Sequence, residues 1–302
     1  MFLIYINDLR YCLNKCKANH FADDTCITFA HKNKNILEAT VNDDLLSVSE
    51  WLKANRLMLN VSKTKLLIFH SKRRNVIHHD FVIKLEGNTL QPDSNVKYLG
   101  MLIDNNLSWS CHIRKLCTNL SRANGILSKL RHLVPFRVLK SIYYAIFHSK
   151  LLYGCLGWSL STLTNMQSIT VLQKKCLRIM NFKPFNCHTN ELFASNEITK
   201  LDDLVKIEQI NLAYQFNYKS LPTDIMDLFQ LNVNRYSTRN MADGGILVPP
   251  IKTLSYGERS IRYAIPTIWN KFIKNNDHNR FKSPKHLRNF LKSSYVDSYI
   301  KS

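Results

Sequence analysis

The residues of this chain best suited to chemistry are two adjacent carboxylates, Asp23 and Asp24, in the segment Phe21-Ala22-Asp23-Asp24-Thr25. Paired carboxylates can hold divalent metal ions, which activate and orient the oxygens of a transferring phosphoryl group. The pair alone is a weak signal, because 15 Asp in 302 residues give roughly one Asp-Asp pair by chance. The flanking segments must therefore decide what the pair does.

The flanks of Asp23-Asp24 predict a β-hairpin with both carboxylates at its tip. The following segment, 25–30, is rich in β-branched and aromatic residues, which is typical of a strand. Neighbouring strand residues point to opposite faces, so two consecutive Asp converge on one metal cluster only where a turn breaks that alternation. A polar turn that binds no metal is the alternative for this pair.

Two other Asp-Asp pairs have simpler interpretations. Asp43-Asp44 lies in a predicted amphipathic helix over about 36–55, where a solvated helix face explains it. The apolar stripe of that helix consists of Leu37, Val41, Leu45, Val48 and Leu52. Asp202-Asp203 is predicted to occupy the first turn of a helix, where acidic residues are favoured by the helix dipole.

The charge of the chain indicates a polyanionic partner. The formal net charge is +20 and the pI is about 9.7, which favours nucleic acid ahead of a membrane surface. No Asp or Glu occurs from 105 to 190, whereas that stretch carries twelve Lys and Arg. A solvated face normally mixes both signs, so the one-sign stretch favours phosphate contacts, although it says nothing about sequence specificity.

The cysteines and the apolar runs indicate the cellular compartment of the chain. Eight Cys without a disulfide framework fit an intracellular protein of the cytoplasm or nucleus that is not secreted. On one continuous helix, Cys12, Cys16 and His20 would share a face, but a zinc site also needs a fourth ligand and a close partner motif, and neither appears. Buried or half-buried thiols are therefore expected. The apolar run 1–6 is cut short by Asn7 and Asp8, so neither a signal peptide nor a membrane span is predicted.

The first hundred residues are predicted to mix helices and strands. Residues 1–30 are expected to form a helix holding Phe2, Ile6, Leu9 and Leu13, followed by the Asp-bearing hairpin. After the helix over 36–55, the segment with Lys63 leads into a predicted strand, Leu66-Leu67-Ile68-Phe69. A second hairpin is predicted around Glu86-Gly87-Asn88, and another is added through 96–103.

The rest of the chain is predicted to be mainly helical. Over 111–130, apolar residues recur at alternating intervals of three and four, which is the stripe of a long helix. Lys115, Arg122 and Lys129, seven residues apart, lie beside that stripe. They either follow a nucleic-acid backbone or simply border buried residues. Further helices are predicted over 137–153, 162–181, 201–219 and 284–300.

The order of these elements resembles the second half of a reverse transcriptase palm followed by its thumb, as found in non-LTR (LINE-like, jockey or CR1-like) retrotransposons. Phe21-Ala22-Asp23-Asp24 matches the aromatic-x-Asp-Asp motif of that family, and the segment 2–9 resembles its preceding helix. The segments that resemble later motifs are Trp51-Leu52-Lys53-Ala54-Asn55, 60–65, Lys97-Tyr98-Leu99-Gly100, Leu107-Ser108-Trp109, Thr238-Arg239 and Ile268-Trp269-Asn270.

The resemblance implies an α+β fold with a partial palm over 1–109, a basic helical thumb-like domain over 110–183 and a mostly helical tail over 184–302. It also implies an RNA-directed DNA polymerase with Mg²⁺ as cofactor, and an RNA template and DNA primer as partners. Asp23 would be a metal ligand and Asp24 its supporting carboxylate, with Lys63 near the leaving pyrophosphate. The implied primer or nucleic-acid contacts are Phe21, Tyr98, Gly100, Lys115, Arg122 and Lys129.

One departure from the family pattern limits the implied activity. The two-metal site of the family needs a third Asp from an earlier palm strand and a Gly-rich segment, yet only 22 residues precede Asp23. We therefore expect a truncated reverse transcriptase that is inactive in this form, with a missing N-terminal half as a candidate partner. The alternatives are a non-enzymatic nucleic-acid-binding remnant and a structural domain in which Asp23-Asp24 is only a polar turn.

Overall fold

The computed structural model describes residues 2–70, 81–232, 244–251 and 257–300. The chain forms two compact units, Met1–Ser108 and Trp109–Ser302. The first unit mixes small hairpins with one long helix and the second is helical, so the predicted α+β class is confirmed. The finer division at 109/110 and 183/184 stays a prediction. The Thr238-Arg239 motif lies outside the described residues.

The described part of the first unit contains three antiparallel two-stranded sheets and one long helix. Its helices are α1 (Phe2–Tyr5), α2 (Lys34–Ala54) and two 3₁₀ turns, Leu9–Cys12 and Val61–Lys63. Its strands are β1 (Lys17–Phe21), β2 (Asp24–Thr28), β3 (Ile83–Leu85), β4 (Asn88–Leu90), β5 (Asn95–Tyr98) and β6 (Met101–Asp104). Among the described residues β1 pairs with β2, β3 with β4 and β5 with β6, each as a separate sheet.

The predicted N-terminal helix is wrong as one continuous element. Helix α1 ends at Tyr5, and a turn separates it from the 3₁₀ turn Leu9–Cys12. Asn7 and Asp8 lie in that turn, and both residue types favour local turns over helix interiors. Ile6 and Leu9 are nevertheless buried, so the apolar pattern was informative about burial but not about helix length.

The predicted strand over Leu66-Leu67-Ile68-Phe69 is also wrong. Leu66 forms a single parallel bridge with Pro92, with the Asp93 amide donating to the Leu66 carbonyl at 2.8 Å. Pro92 has no amide hydrogen to donate, so a ladder cannot extend through it. The apolar residues at 66–68 are half-buried without being part of a sheet.

The two later hairpins turn through residues with positive φ. Glu86 and Gly87 have φ of +49° and +78°, and Leu99 and Gly100 have φ of +45° and +82°. Positive φ at both central residues is the requirement of a type I′ hairpin turn, which glycine meets without steric cost. Glycine at the second position therefore fixes where each of these hairpins reverses.

Helix α2 replaces a neighbouring strand for the β3–β4 hairpin. The Asn42 side chain donates to the Val82 carbonyl at 2.9 Å and accepts from the Lys84 amide at 2.8 Å. The Glu38 carboxylate accepts from the Val82 amide at 3.0 Å. Three backbone groups beside β3 are thus satisfied by helix side chains, which covers an edge that would otherwise be exposed.

The solvated face predicted for Asp43-Asp44 is right for Asp43 and wrong for Asp44. Asp43 is exposed, but Asp44 is only 1% exposed. The Asp44 carboxylate accepts hydrogen bonds from the backbone amides of Asn14, Lys15 and Cys16 at 2.9, 3.0 and 2.7 Å. We call this arrangement the Asp44 clasp. It attaches the segment that enters β1 to the side of α2.

The Asp44 clasp perturbs the acidity of both partners. Burial alone raises the pKa of the Asp44 carboxyl, but the hydrogen bonds from the 14–16 segment outweigh it and hold the pKa below its usual range. Burial and the neighbouring Asp44 carboxylate raise the pKa of the Cys16 thiol to about 12. Asp44 is therefore charged, and Cys16 is an unreactive thiol at neutral pH.

The second unit is built from ten described helices. They are α3 (Ser110–Leu130), α4 (Phe136–Tyr143), α5 (Ser149–Leu152), α6 (Cys155–Trp158), α7 (Leu163–Met180), α8 (Asn190–Ser195), α9 (Leu201–Asn217), α10 (Thr223–Met226), α11 (Ile261–Asn275) and α12 (Pro284–Ser298). A π-helical stretch, Tyr144–His148, joins α4 to α5. The predicted helices over 111–130, 137–153, 162–181, 201–219 and 284–300 are thus confirmed within a few residues, whereas α11 was not predicted.

Helices α3 and α7 form the centre of the larger core. The predicted stripe of α3 is buried, with Leu120 and Leu127 fully inaccessible. The opposite side of the pair is supplied by Ile169, Cys176 and Leu177 of α7, which are also fully buried. The 3.6-residue period of the sequence therefore predicted the packing face of this unit correctly.

A buried glutamine joins three parts of that core. The Gln173 side chain donates to the Thr199 carbonyl at 2.9 Å and to the Tyr143 hydroxyl at 3.4 Å, and accepts from the Leu201 amide at 2.9 Å. Leu201 is the first residue of α9, where the amide has no partner within its own helix. Gln173 thus fixes the start of α9 against α7. Asp202 and Asp203 lie in the first turn of α9, as predicted.

The Ile268-Trp269-Asn270 motif has a structural role. Trp269 is fully buried, and its indole nitrogen donates to the Gly244 carbonyl at 2.9 Å. The Asn270 side chain accepts from the Ile246 amide at 2.9 Å and donates to the Ile246 carbonyl at 2.7 Å. These contacts hold the segment 244–246 against α11, around a second apolar core.

The Asp44 clasp predicts a specific pH dependence of stability. We expect Asp44→Asn to lower the free energy of unfolding of the first unit by about 2 kcal/mol at pH 7, because charge-assisted hydrogen bonds are lost. The folded pKa is depressed, so the contribution is complete above the unfolded pKa of about 3.9 and is lost as the pH falls through the folded pKa.

Urea unfolding at pH 7 and at about pH 3 measures this effect, and hydrogen exchange of the 14–16 amides locates it. Asp43→Asn is the matched control, because it removes the same charge from the exposed neighbouring position. A difference between Asp44→Asn and the unmodified chain that is equally large at both pH values would contradict the clasp.

The Gln173 contacts predict a second stability effect. We expect Gln173→Ala to destabilise the second unit by about 2 to 3 kcal/mol, because it leaves buried backbone groups of Thr199 and Leu201 without their partner. Thermal unfolding followed by circular dichroism checks this. Gln167→Ala, at an exposed position of the same helix, should change stability by less than about 0.5 kcal/mol.

Candidate functional site

The tip of the β1–β2 hairpin carries the two candidate carboxylates. The strands pair in antiparallel register from Lys17↔Thr28 to Phe21↔Asp24, which leaves Ala22 and Asp23 as a two-residue turn. Ala22 has φ +54°, in the left-handed region that L-residues adopt only at a cost. The turn thus interrupts strand alternation between Asp23 and Asp24, which is the geometry that adjacent carboxylates require to serve one site.

The two carboxylates lie at the surface and do not form a complete metal site. Asp23 and Asp24 are both exposed. Within the described ranges, no group of three or more His, Cys, Asp or Glu side chains is placed to hold a metal ion. A pair of Mg²⁺ ions needs more anionic ligands than two exposed carboxylates, so the residues present do not fit a two-metal cluster by themselves.

Another carboxylate of the first unit, Asp104, is engaged in a loop. Its oxygens accept from the Asn106 amide at 3.2 Å, from the Ser108 amide at 2.9 Å and from the Ser108 hydroxyl at 3.2 Å. Asp104 is buried at 7% exposure. These hydrogen bonds give it the role of a turn-stabilising residue at the end of β6.

Phe21 and Tyr98 both belong to the surroundings of the hairpin tip. The Phe21 side chain is 62% exposed beside Asp24, its partner in the strand register. Tyr98 ends β5, and burial raises the pKa of its hydroxyl, with further increases from the nearby Cys26 and Asp24. The structure therefore brings Tyr98 close to the strand that carries Asp24.

Gly100 and Lys63 each lie in a tight turn of the first unit. Gly100 lies in the β5–β6 turn directly after Tyr98, and its φ of +82° excludes most other residues. Lys63 ends the 3₁₀ turn Val61–Lys63, which the Asn60 side chain caps by accepting from the Lys63 amide at 3.2 Å. The Lys63 side chain is exposed. The described residues that follow it, 64–70, form no strand, contrary to the prediction.

The three predicted basic contacts of the second unit share one edge of α3. Lys115, Arg122 and Lys129 are all exposed, whereas the apolar stripe beside them is buried. Spacing of seven residues places successive cations about 10.5 Å apart along the helix axis. These side chains form a row of charges at the surface, which we call the α3 basic edge.

Two features of interest were missed from the sequence. Asp44 lies between Val41 and Val48 in the helical repeat, so its position on the buried stripe was readable, and a buried acid requires partners. Phe182, at the end of α7, has φ +54° and contacts Arg131. An aromatic residue directly after a helix end, in a position that glycine normally occupies, was the available signal.

Among the described residues, no helix combines the length and the apolar character that crossing a bilayer requires.

The candidate cysteine and histidine set remains a set of structural residues. Cys16 is buried, Cys12 and His20 are half-buried, and they do not lie on one continuous helix. His20 lies on β1, where its Nδ1 atom is 3.1 Å from the Thr25 hydroxyl of the paired strand. The expectation of buried or half-buried thiols is therefore confirmed for Cys12 and Cys16.

Comparison with known proteins identifies several relatives. The chain is 27% identical over 164 residues to the protein described as "Probable RNA-directed DNA polymerase from transposon X-element" of Drosophila melanogaster, covering 53% of this chain and 18% of that protein. It is 26% identical over 211 residues to the RNA-directed DNA polymerase from mobile element jockey of Drosophila funebris, covering 68% of this chain and 22% of that protein.

A third relative is also similar over part of its length. The chain is 24% identical over 200 residues to the jockey polymerase of Drosophila melanogaster, covering 64% of this chain and 21% of that protein. No family model matches the chain, and no solved structure matches it significantly. The chain spans about a fifth of the length of the curated relatives it matches. The resemblance predicted from the motifs is confirmed: over part of its length, this chain is similar to the RNA-directed DNA polymerases of non-LTR mobile elements, namely jockey, X-element and BS.

Proposed function

We propose that this chain is a portion of an RNA-directed DNA polymerase that contributes two metal-binding carboxylates and a nucleic-acid-binding helical unit. The observation that carries the proposal is the placement of Asp23-Asp24 at a two-residue hairpin turn, in a chain similar to the jockey polymerases. A polar turn without function would not need both carboxylates beside an exposed aromatic residue such as Phe21. The partners are an RNA template and a DNA primer.

In this proposal each predicted residue has a defined task. Asp23 is a metal ligand, and Asp24 supports it from the first position of β2. The exposed Phe21 ring packs under the primer terminus, and Tyr98 and Gly100 shape the neighbouring turn. Lys63 lies near the leaving pyrophosphate, where its charge stabilises the departing oxygen. The family reaction is attack of the primer 3′-hydroxyl on the α-phosphate of a deoxynucleotide.

The incomplete carboxylate set leads to the second part of the proposal. In a complete site, Asp23 and Asp24 together with a third carboxylate would hold Mg²⁺, which would supply Lewis-acid stabilisation of the phosphoryl oxygens. The described residues bring only two carboxylates to the hairpin tip. We therefore propose that this chain does not extend primers unaided and that a complementing polypeptide supplies the third carboxylate.

A second candidate function is nucleic-acid binding without catalysis. It is favoured by the α3 basic edge and by the absence of Asp and Glu from 105 to 190. Exposed cations repeated about every 10.5 Å along one helix edge can each pair with a phosphate of a polyanionic backbone. This binding would require neither metal nor Asp23.

Primer extension separates these functions. We expect the purified chain with Mg²⁺, deoxynucleotides and an RNA template with DNA primer to give no more product than Asp23→Asn, because the carboxylate set is incomplete. A second arm adds the jockey polymerase segment that precedes its matched region. Product that appears in this arm and is lost with Asp23→Asn supports the proposed role of the hairpin.

The matched control for Asp23→Asn is Asp43→Asn, which removes an exposed acid of another Asp-Asp pair. Metal-dependent extension by the chain alone, abolished by Asp23→Asn and retained by Asp43→Asn, would show a complete site and overturn the proposed inactivity. Extension that is insensitive to Asp23→Asn would remove the hairpin from the reaction.

Salt dependence tests the α3 basic edge. We expect log Kobs for duplex binding to fall steeply with log[salt], and neutralising Lys115, Arg122 and Lys129 to Gln to reduce that slope by about 2 to 3, at about 0.9 per phosphate contact. Fluorescence anisotropy between about 50 and 200 mM salt measures both slopes.

The control variant carries Lys271→Gln, Lys274→Gln and Lys285→Gln, which make the same charge change at exposed positions outside 105–190. Equal slope changes in both variants would mean that only the total charge matters. Absence of binding at low salt would contradict the nucleic-acid part of the proposal.

A further inference from the structure

An exposed aromatic residue occupies the position just after helix α7. Met180 ends the helix, and the backbone closes it with the Phe182 amide donating to the Ile179 carbonyl at 3.3 Å and the Lys183 amide donating to the Arg178 carbonyl at 2.9 Å. Phe182 has φ +54°. Glycine is the usual residue in this left-handed position, because a residue with a side chain pays about 1 to 2 kcal/mol there.

The Phe182 ring is held in place by the end of helix α3. The Arg131 guanidinium carbon lies 4.8 Å from the ring centroid, and the His132 ring meets it edge-on at 5.1 Å and 74°. Arg131 is itself fixed, because it donates to the Ile179 carbonyl at 3.3 Å and to His132 Nε2 at 3.1 Å. The ring is nevertheless 55% exposed, so a fixed aromatic surface faces solvent.

A second exposed ring follows in the next turn. The Cys187 amide donates to the Pro184 carbonyl at 3.2 Å, which closes a turn with Phe185 at its tip. Phe185 is 89% exposed. The Arg178 side chain donates to the Cys187 carbonyl at 2.8 Å and ties this loop back to α7. We call Arg131, His132, Phe182, Lys183 and Phe185 together the α7 platform.

The chemistry of the α7 platform selects one class of ligand. Two solvent-facing rings offer faces for stacking, and Arg131 and the exposed Lys183 offer positive charge beside them. No Asp or Glu occurs from 105 to 190, the stretch that contains all five residues of the α7 platform. A ligand with flat π surfaces joined by negative charges matches both properties, and an unpaired nucleic-acid strand has this composition. A duplex does not, because its base faces are already stacked.

We propose that the α7 platform binds single-stranded nucleic acid by stacking bases on Phe182 and Phe185, with Lys183 contacting the intervening phosphate. This site is additional to the α3 basic edge, which contacts phosphates and does not distinguish single strands from duplexes. The inference rests on the proposed binding of nucleic acid by the helical unit.

The test uses the whole chain with two fluorescent probes, an oligo(dT) of about 20 nucleotides and a random-sequence duplex of the same length. We expect Phe182→Gly and Phe185→Ala each to weaken oligo(dT) binding by roughly 5- to 150-fold, the range of losing one stacked base. Duplex binding should change less than about twofold. Phe182→Trp should retain oligo(dT) affinity, because the indole offers a larger face.

Two measurements separate stacking from folding and from charge. Phe182→Gly suits the left-handed backbone, so its unfolding temperature should stay close to that of the unmodified chain. If Phe182→Gly lowers the unfolding temperature, Phe185→Ala tests stacking instead, because the Phe185 side chain is 89% exposed. Lys183→Gln should lower the oligo(dT) salt slope by about 0.7, whereas Phe182→Gly should leave the slope unchanged.

The matched control is Leu163→Ala, an 88% exposed apolar side chain at the opposite end of α7. Unchanged oligo(dT) affinity in both phenylalanine variants, or an equal loss on both probes, would overturn the α7 platform and leave the proposed function standing. Failure of the unmodified chain to bind either probe at low salt would overturn both.

Discussion

The first unit depends on one buried carboxylate. Asp44 is a helix residue, yet its three hydrogen bonds go to backbone amides of the segment that precedes β1. Those amides have no strand partner, and burying them unpaired would cost about 1 to 3 kcal/mol each. The carboxylate satisfies all of them at once, and in doing so it attaches the entrance of the Asp23-Asp24 hairpin to α2. The position of the candidate metal ligands therefore depends on an acid with no catalytic task.

In the second unit, neutral amide side chains satisfy the buried backbone groups. At the start of α9, the Gln173 side chain donates to the Thr199 carbonyl and accepts from the Leu201 amide. The Asn270 side chain likewise donates to the Ile246 carbonyl and accepts from the Ile246 amide. Amide side chains can donate and accept together, which a carboxylate cannot. In a unit whose 105–190 stretch has no acids, buried backbone groups are thus satisfied without negative charge. This leaves the positive charge of the α3 basic edge unopposed within that stretch.

Much of this architecture was predictable from local patterns, and the failures have physical causes. The α3 stripe and the Asp23-Asp24 hairpin follow from residue periodicity and turn position, which the sequence displays directly. The strand predicted over Leu66–Phe69 is wrong because strand propensity cannot show that the residue bridged to Leu66 is Pro92, which lacks an amide hydrogen. The solvated position predicted for Asp44 is wrong because its partners lie about thirty residues away in the chain. Only its place on the apolar stripe indicated burial. The orientation of Phe182 depends on Arg131 from another helix and has no local signature beyond the helix end itself.

Helix α2 carries attachments on two sides at nearly one level. Asn42 holds the β3 region and Asp44 holds the entrance to β1, and these residues are two positions apart. Two helical positions correspond to about 3 Å of rise and about 200° of rotation, so the two attachments lie on opposite sides of the same turn. Because both attachment points belong to one helical turn, a rotation of α2 about its own axis would move them in opposite directions. The segment that enters the Asp23-Asp24 hairpin and the β3 region are therefore positioned by the same helical turn, although their hairpins belong to separate sheets.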